Sequence, residues 1–250
     1  MRILSSLAFI GFLSFASTKP VEAELVYNAV ADFNASGTTP AQSTNGAWTY
    51  GYSTSLGGTF VLHNTATGNY FGSPAGAAGF YTPLDGNALP TVIKNTTAGA
   101  LTAGTITNWT PDLLLLHPGQ GAQYSVVRFT TPTAGDYTVS SLFQGLDSVG
   151  PTTTDVHVRL NGIDLFSSNV STYGPPPVAY SSGGSLALLA GDTLDFAVGL
   201  SANPNDNTFF YDSTGFDATI SATPEPGTLV LFGVGTVMAW WNRRRQQKGQ

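Results

Sequence analysis

The 250-residue chain contains no cysteine, and only 10% of its residues are charged. The absence of cysteine excludes disulfide bonds, thiol chemistry and cysteine-ligated metal sites. Lys and Glu are scarce, which disfavours a helical protein of this size, because such proteins are rich in these residues. The stability of the folded chain therefore has to come from a packed core alone.

Glycine, proline and aromatic residues are abundant, with 29 Gly, 15 Pro and 12% Phe, Trp and Tyr. Thr, Val, Tyr and Phe favour the half-buried surface of a pleated sheet. Disorder is the alternative for a chain so rich in Gly and Pro, but the aromatic and aliphatic residues can bury a core. The composition therefore predicts an all-β domain.

The N-terminal 23 residues have the pattern of a secretion signal. Arg2 supplies a positive charge, an apolar run follows from Ile3 to Phe15, and small residues precede position 24. We expect cleavage between Ala23 and Glu24. A buried N-terminal helix is the alternative, and the flanking residues disfavour it.

The segment 223–250 has three parts in a fixed order. They are Pro224-Glu225-Pro226, an apolar stretch predicted as a short helix over 228–242, and the basic cluster Arg243, Arg244 and Arg245. Its apolar part rises roughly 21 Å as a helix, against roughly 30 Å for the hydrocarbon core of a bilayer. Such a helix can insert if its tryptophans lie at the interface, with the arginines on the cytoplasmic side.

This order of parts at the C-terminal end resembles the PEP-CTERM sorting signal. In that family an exosortase, a membrane-embedded cysteine protease of Gram-negative bacteria that make exopolysaccharide, recognises the tail. The resemblance implies an exported protein with an inner-membrane-anchored precursor and a final place at the cell surface or in the extracellular matrix. It implies an exosortase-type enzyme and the membrane as partners.

Between the two terminal segments the chain is acidic. Residues 24–222 contain 13 acids and only three bases, Lys94, Arg128 and Arg159, which gives a net charge of −10. A domain with this charge repels nucleic acid and anionic lipid headgroups. We therefore expect no nucleic-acid partner.

Alternating apolar and polar residues between Gly-rich and Pro-rich turns predict many short strands. The predicted strands are 48–52, 58–63, 91–95, 113–116, 124–130, 137–143, 155–160, 163–166, 185–189, 193–198 and 216–221. Regular short strands without helical periodicity predict an antiparallel β-sandwich or jelly roll over 24–222. The pattern is clearest over 113–221.

The clearest element is a β-hairpin over Asp155 to Phe166. Asn161-Gly162 separates two alternating runs, as in a type I′ turn, which needs φ > 0 at both positions. One face of the hairpin should be apolar, and the other should carry an Arg159–Asp164 ion pair. The predicted apolar face consists of Val156, Val158, Leu160, Ile163 and Leu165, with Val158 opposite Leu165.

Three stretches of the second half resemble turns of the jelly-roll carbohydrate-binding modules. They are Arg128 to Ser140, which contains Pro132-Thr133-Ala134-Gly135, the hairpin above, and Ala190 to Phe196. The resemblance implies a jelly-roll fold. It allows, without requiring, a polysaccharide ligand.

No motif for catalysis is present in the sequence. His63, His117 and His157 lack metal-ligand spacing, and we expect His157 to be a solvated histidine on a strand. Glycosidases need two carboxylic acids, whereas Glu24 is the only Glu of the domain and the aspartates mostly occupy turns. The sequence therefore predicts a protein that is not an enzyme, with no cofactor.

Two groups of residues are candidate binding sites. Trp48, Tyr50 and Tyr52 fall on one face of a strand and could form a platform for stacking sugars, although aromatic rings more often cover a core. Asn205 and Asp206, with Asp212 nearby, offer oxygen ligands for Ca²⁺, although such loop tips are more often turns.

Two functions remain open from the sequence. The first is a non-catalytic cell-surface or exopolysaccharide-matrix protein sorted through its C-terminal signal. The second is a carbohydrate-binding module that recognises extracellular polysaccharide.

Overall fold

A computed structural model describes residues 24–34, 41–42, 46–72, 76–121, 123–150, 152–200 and 209–223. The predicted signal peptide, the predicted apolar helix and the basic cluster lie outside these residues. Within the described residues, no helix is long and apolar enough to cross a membrane.

The described chain is an antiparallel β-sandwich, which confirms the predicted all-β fold of jelly-roll type. In chain order the strands are β1 (Leu25–Asn28), β2 (Trp48–Ser53), β3 (Val61–Leu62), β4 (Thr65–Thr67), β5 (Ala77–Tyr81), β6 (Thr91–Asn95), β7 (Leu101–Ala103), β8 (Ile106–Trp109), β9 (Leu114–His117), β10 (Tyr124–Thr130), β11 (Gly135–Gly145), β12 (Thr154–Leu160), β13 (Ile163–Val170), β14 (Gly174–Ser181), β15 (Leu186–Leu188), β16 (Thr193–Leu200) and β17 (Thr214–Thr223). A short 3-10 helix, Leu84–Gly86, lies between β5 and β6.

Two sheets form the sandwich, and a small β7–β8 hairpin forms a third sheet. The larger sheet has nine strands in the order β14-β11-β17-β9-β6-β5-β4, with β1 also paired to β17 and β15 to β11. The six-stranded sheet has the order β13-β12-β16-β10-β2-β3. Strand β17 is central to the larger sheet, because it pairs with β11 along its length and with both β9 and β1 on its other edge.

The main core lies between the two sheets and is built from the alternating positions of their strands. Phe196 of the six-stranded sheet and Phe216 of the nine-stranded sheet meet there, with ring centroids 5.2 Å apart. Trp48 and Tyr50 are both fully buried in this core. The alternation that identified these strands in the sequence is therefore the alternation between core and outer face.

A second apolar cluster covers the outer face of the nine-stranded sheet. Ile93 of β6 and Leu115 of β9 point away from the main core and pack against Trp109 and Ile106 of the β7–β8 hairpin. Strands β6 and β9 are therefore buried on both faces, which explains why Leu113 to Leu116 is apolar at every position.

The predicted hairpin turn is confirmed, but one of its predicted strand faces is wrong. Asn161 and Gly162 have φ of 49° and 81°, and Leu160 and Arg159 pair with Ile163 and Asp164. A bulge then places Val158 opposite Phe166 instead of Leu165. The extra residue of the bulge reverses which side chains of β13 face the core. Leu165 is therefore exposed, and Phe166 packs against the core. Ile163, which lies between the turn and the bulge, is 72% exposed.

Candidate functional site

A cleft of about 320 Å³ opens on the outer face of the nine-stranded sheet. It lies where β9 ends, β6 and β17 begin, and the chain leaves β11. The lining residues are Tyr70, Phe71, Asn87, Ala88, Leu89, Thr91, Thr105, Ile106, Leu115, His117, Asp147, Phe209, Phe210, Tyr211 and Ser213. Ile106 and Leu115 belong to the second apolar cluster, so this cluster forms the floor of the cleft.

Aromatic rings form the walls of the cleft. Phe209 and Phe210 have ring centroids 4.4 Å apart, and Phe210 and Tyr211 follow each other with 59% and 43% of their surfaces exposed. Tyr211 lies over Gly150, where an added Cβ would come within 2.6 Å of the tyrosine ring, so only glycine fits beneath it. Exposed rings held in this way offer flat apolar surfaces to a ligand.

Tyr70 and Phe71 also line the cleft, in an edge-to-face contact with centroids 5.1 Å apart. The Tyr70 hydroxyl donates a hydrogen bond to the carbonyl of Ala88 over 2.6 Å, which ties Tyr70 to the loop before β6. Burial raises the pKa of Tyr70 to about 12, so the hydroxyl stays protonated at any physiological pH.

Asp147 connects three segments of chain that line the cleft. Its side chain is only 1% exposed. One carboxylate oxygen accepts a hydrogen bond from the Thr105 hydroxyl over 2.6 Å, and the other accepts one from the Ser213 amide over 2.8 Å. These bonds join the β7–β8 hairpin and the segment before β17 to the chain that follows β11. The geometry indicates a structural role for this carboxylate.

His117 contributes an imidazole ring to the cleft. Its Nδ1 lies 2.8 Å from the carbonyl of Pro118, which makes Nδ1–H the donor and leaves Nε2 to accept. Desolvation lowers the pKa of His117 below its ordinary value. The ring is therefore neutral at pH 7 and offers an acceptor on a partly buried side chain.

The cleft lies far from the point where the chain continues into residue 224. Thr214, at the start of β17, adjoins the cleft, whereas Thr223 ends the same strand. A ten-residue strand spans about 30 Å at 3.3 Å per residue. The cleft and the start of the C-terminal segment are thus at opposite ends of the sandwich.

The aromatic residues predicted as a possible platform lie elsewhere. Trp48 and Tyr50 are fully buried, so they cannot stack on a sugar at the surface and instead cover the core, the alternative given above. Tyr52 is partly buried and stacks on His63, with centroids 6.1 Å apart.

The residues predicted for calcium are only partly described. Asn205 and Asp206 lie outside the described residues. Asp212 is fully buried, and one of its carboxylate oxygens accepts hydrogen bonds from the Thr153 amide and hydroxyl, over 3.1 and 3.2 Å. Within the part of the chain that the structure describes, no three His, Cys, Asp or Glu side chains are grouped as metal ligands. Pro224, Glu225, Pro226, Arg243, Arg244, Arg245 and Ala23 also lie outside the described residues, and the cleavage predicted before Glu24 stays a prediction.

The predicted solvated state of His157 is wrong, because this residue is only 7% exposed. It lies on the outer face of the six-stranded sheet, between the carboxylates of Asp155 and Asp164 at 3.1 and 3.5 Å. The ring of Tyr124 covers it edge-on, and the Tyr124 hydroxyl donates to Asp155 over 2.7 Å. Neighbouring polar side chains, which alternation alone does not reveal, therefore bury this histidine.

Sequence reasoning missed the cleft as a whole. Its residues come from six separate stretches of chain, and only the closure of the sheet brings them together. The one local signal was the run Phe209-Phe210-Tyr211, three aromatic residues that follow an Asn-rich stretch of sequence.

A comparison with protein families matches the PEP-CTERM protein-sorting motif over residues 222–246. The chain carries this sorting motif. The match begins at residue 222, and β17 ends at Thr223, so the matched motif starts at the end of the last strand of the sandwich. The motif indicates export and C-terminal sorting, as the sequence predicted. No curated protein matches the chain.

Several of the similar solved structures contain carbohydrate-binding modules, and another is a cyclase from Fischerella sp. TAU. The CBM51-2 and INT domains of Clostridium perfringens ZmpB, in complex with GlcNAc, share 12% identity at a TM-score of 0.32, over 46% of this chain and 23% of that one. The CBM51 of Clostridium perfringens GH95, in complex with methyl-galactose, shares 15% identity at a TM-score of 0.32, over 52% and 86%. The CBM36-1 domain of a xylanase from the hindgut metagenome of Trinervitermes trinervoides shares 11% identity at a TM-score of 0.29, over 50% and 89%. This chain thus spans under a quarter of the first structure.

Proposed function

We propose that this protein is a non-catalytic component of the bacterial cell surface or exopolysaccharide matrix, retained through its C-terminal motif. The sorting motif at 222–246, directly after the last strand, carries this proposal. The predicted helix over 228–242 would hold the precursor in the inner membrane of a Gram-negative cell until an exosortase-type enzyme processes it. The sandwich would then stand outside that membrane.

Fractionation of cells tests the sorting step. Cells make the full-length protein, a form truncated after Thr223, and a control form that lacks only residues 247–250, which lie outside the matched motif. We expect the full-length and control forms in the envelope and the truncated form free in the periplasm or medium. Equal partition of all three forms would contradict the proposal.

A second function is favoured by the cleft, namely that the sandwich binds extracellular polysaccharide there. Exposed rings at Phe210 and Tyr211 suit the apolar faces of sugar rings, and the polar groups of Asn87, Thr105 and His117 suit sugar hydroxyls. Among the described residues, Asp147 is the only acid that lines the cleft, and both of its oxygens are hydrogen-bonded, so these residues lack the two carboxyl groups of a glycosidase. The position of the cleft, about 30 Å from Thr223, would leave it open while the tail is anchored.

A glycan array with the full-length protein in detergent tests this second function. We expect binding to at least one polymer, and a loss of about fivefold in affinity for Phe210→Ala, because one stacked ring is worth about 1 kcal/mol. Leu189→Ala is the matched control, since Leu189 is an apolar side chain with 69% exposure that does not line the cleft. Binding that survives Phe210→Ala unchanged, or that falls equally in the control, would place the ligand elsewhere.

A further inference from the structure

The three bases of residues 24–222 all point away from the cleft. Arg128 and Arg159 lie on the outer face of the six-stranded sheet, on the other side of the sandwich. Arg128 makes two hydrogen bonds to Asp195, over 2.6 and 2.8 Å, and its guanidinium stands 4.2 Å above the ring of Phe60. Arg159 donates to Asp164 over 2.7 Å.

Lys94 is also directed away from the cleft, although β6 borders it. Its neighbour Ile93 packs in the second apolar cluster on the cleft side, so Lys94 points to the opposite side of the sheet. There its ammonium group donates to the carbonyl of Val30 over 2.6 Å. Within the part of the chain that the structure describes, no lysine or arginine lines the cleft.

Asp147 is the acidic side chain among the described residues that line the cleft. Residues 24–222 around it have a net charge of −10. An anionic sugar that enters the cleft loses water and meets a carboxylate, without any cation to replace the lost hydration. An uncharged sugar loses no hydration of a charge, and it can still stack on Phe210 and Tyr211.

We infer that the cleft selects uncharged polysaccharide chains and rejects polymers of uronic acids or sulfated sugars. The inference rests on the proposed binding of polysaccharide and names the ligand class for that site. Recognition would come from ring stacking and from hydrogen bonds between sugar hydroxyls and Asn87, Thr105 and Nε2 of His117. Because no ion pair contributes, the affinity should not depend on salt.

Matched pairs of probes test the inference on the full-length protein in detergent. The neutral probes are glucan, galactan and mannan oligosaccharides, and the anionic probes are the same oligosaccharides with C6 oxidised to a carboxylate. We expect at least one neutral probe to bind about tenfold or more tightly than its oxidised form. We also expect its affinity to change less than about twofold between 50 and 500 mM salt.

Two different failures can be told apart. An oxidised probe that binds as tightly as its neutral partner, or an affinity that falls steeply with salt, would overturn the inference and leave polysaccharide binding intact. No binding to any probe would overturn the proposed polysaccharide function together with the inference.

A pair of variants tests whether the cleft itself sets the selection. Asn87→Lys adds a base at an exposed position of the cleft lining, and Asn169→Lys adds one at an exposed position of β13 on the other sheet. We expect Asn87→Lys to improve binding of the oxidised probe about tenfold and Asn169→Lys to leave it unchanged. Equal effects would mean that the net charge of the domain, and not the cleft, excludes anions, and would overturn the inference.

Discussion

The two outer faces of the sandwich differ although the same strand alternation produces both. The nine-stranded sheet carries a second apolar cluster, and the described residues that line its cleft include aromatic rings and no base. The six-stranded sheet carries ion pairs, Arg128–Asp195 and Arg159–Asp164, and the network of Tyr124 and His157 around Asp155. One face is thus organised by apolar packing and the other by paired charges.

The difference shows how a domain with three bases distributes them. Arg128 and Arg159 both form ion pairs on the outer face of the six-stranded sheet, and neither lines the cleft on the nine-stranded sheet. Apolar packing on the nine-stranded sheet needs close fit, whereas exposed ion pairs contribute little to stability and more to solubility. Losses of stability should therefore be large on the first face and small on the second.

Truncation of Trp109 gives the largest expected difference between the faces. Trp109 is fully buried in the second apolar cluster, and its indole N–H donates to the carbonyl of Leu113 over 2.8 Å. We expect Trp109→Ala to lower the free energy of unfolding by about 3–5 kcal/mol, as for other buried aromatic residues. Arg128→Ala on the other face should cost about 1–2 kcal/mol, because its ion pair and ring contact are partly exposed. Urea denaturation measures the free energy of unfolding of both variants. A larger loss of stability for Arg128→Ala than for Trp109→Ala would reverse the comparison between the faces.

Acid should weaken the corner that joins the two sheets. His63 lies between β3 and β4, is 3% exposed, and burial lowers its pKa to about 3 from an ordinary 6.5. Because the folded state resists protonation, stability is complete above pH 6.5 and falls as the pH drops toward 3. At about 1.4 kcal/mol per pH unit, the loss from this ring is about 2 kcal/mol at pH 5.

His63→Gln provides the control for this loss. The variant will be less stable at pH 7 because the contact between His63 and Thr82 changes, so the measured quantity is the slope of stability against pH. We expect a shallower slope between pH 7 and 5 than in the unmodified protein. An unchanged slope would show that other groups cause the acid sensitivity. His117, whose pKa burial also lowers, is one such group.

Strands with alternation and clear turns were predictable from the sequence. Strands β6 and β10 have the predicted bounds, Thr91–Asn95 and Tyr124–Thr130. Strand β14, Gly174–Ser181, was missed because its three consecutive prolines argue against a strand. It lies at the edge of the nine-stranded sheet, where a missing N–H costs no ladder bond.

The cleft was beyond prediction for a different reason. Strand β5, Ala77–Tyr81, has no alternation, since its residues are buried on both sides of the sheet, and without it the second apolar cluster cannot be foreseen. The charge of the cleft likewise depends on the face of the sheet from which each base projects. The register of β6, β10 and β12 sets this face, and a slip of one residue would turn each base to the opposite face.

The smallest expected effects test the charged face at its hairpin. Gly162 has φ of +81°, and an added Cβ would meet nothing within 4 Å, so only backbone strain opposes a side chain there. We expect Gly162→Val to cost roughly 1–3 kcal/mol, because a β-branched residue is strongly disfavoured at positive φ.

Arg159→Ala provides the comparison for the turn, because Arg159 bonds both to Asp164 and to the carbonyl of Gly162. Its side chain is 13% exposed while that of Asp164 is 42% exposed, so water still screens the pair. The expected loss is about 1 kcal/mol, below that of the turn variant. Urea denaturation of both variants decides whether backbone conformation or the ion pair sets the hairpin. If Arg159→Ala costs more than Gly162→Val, the ion pair contributes more to the six-stranded face than the conformation of the turn does, and the contrast between the two faces weakens.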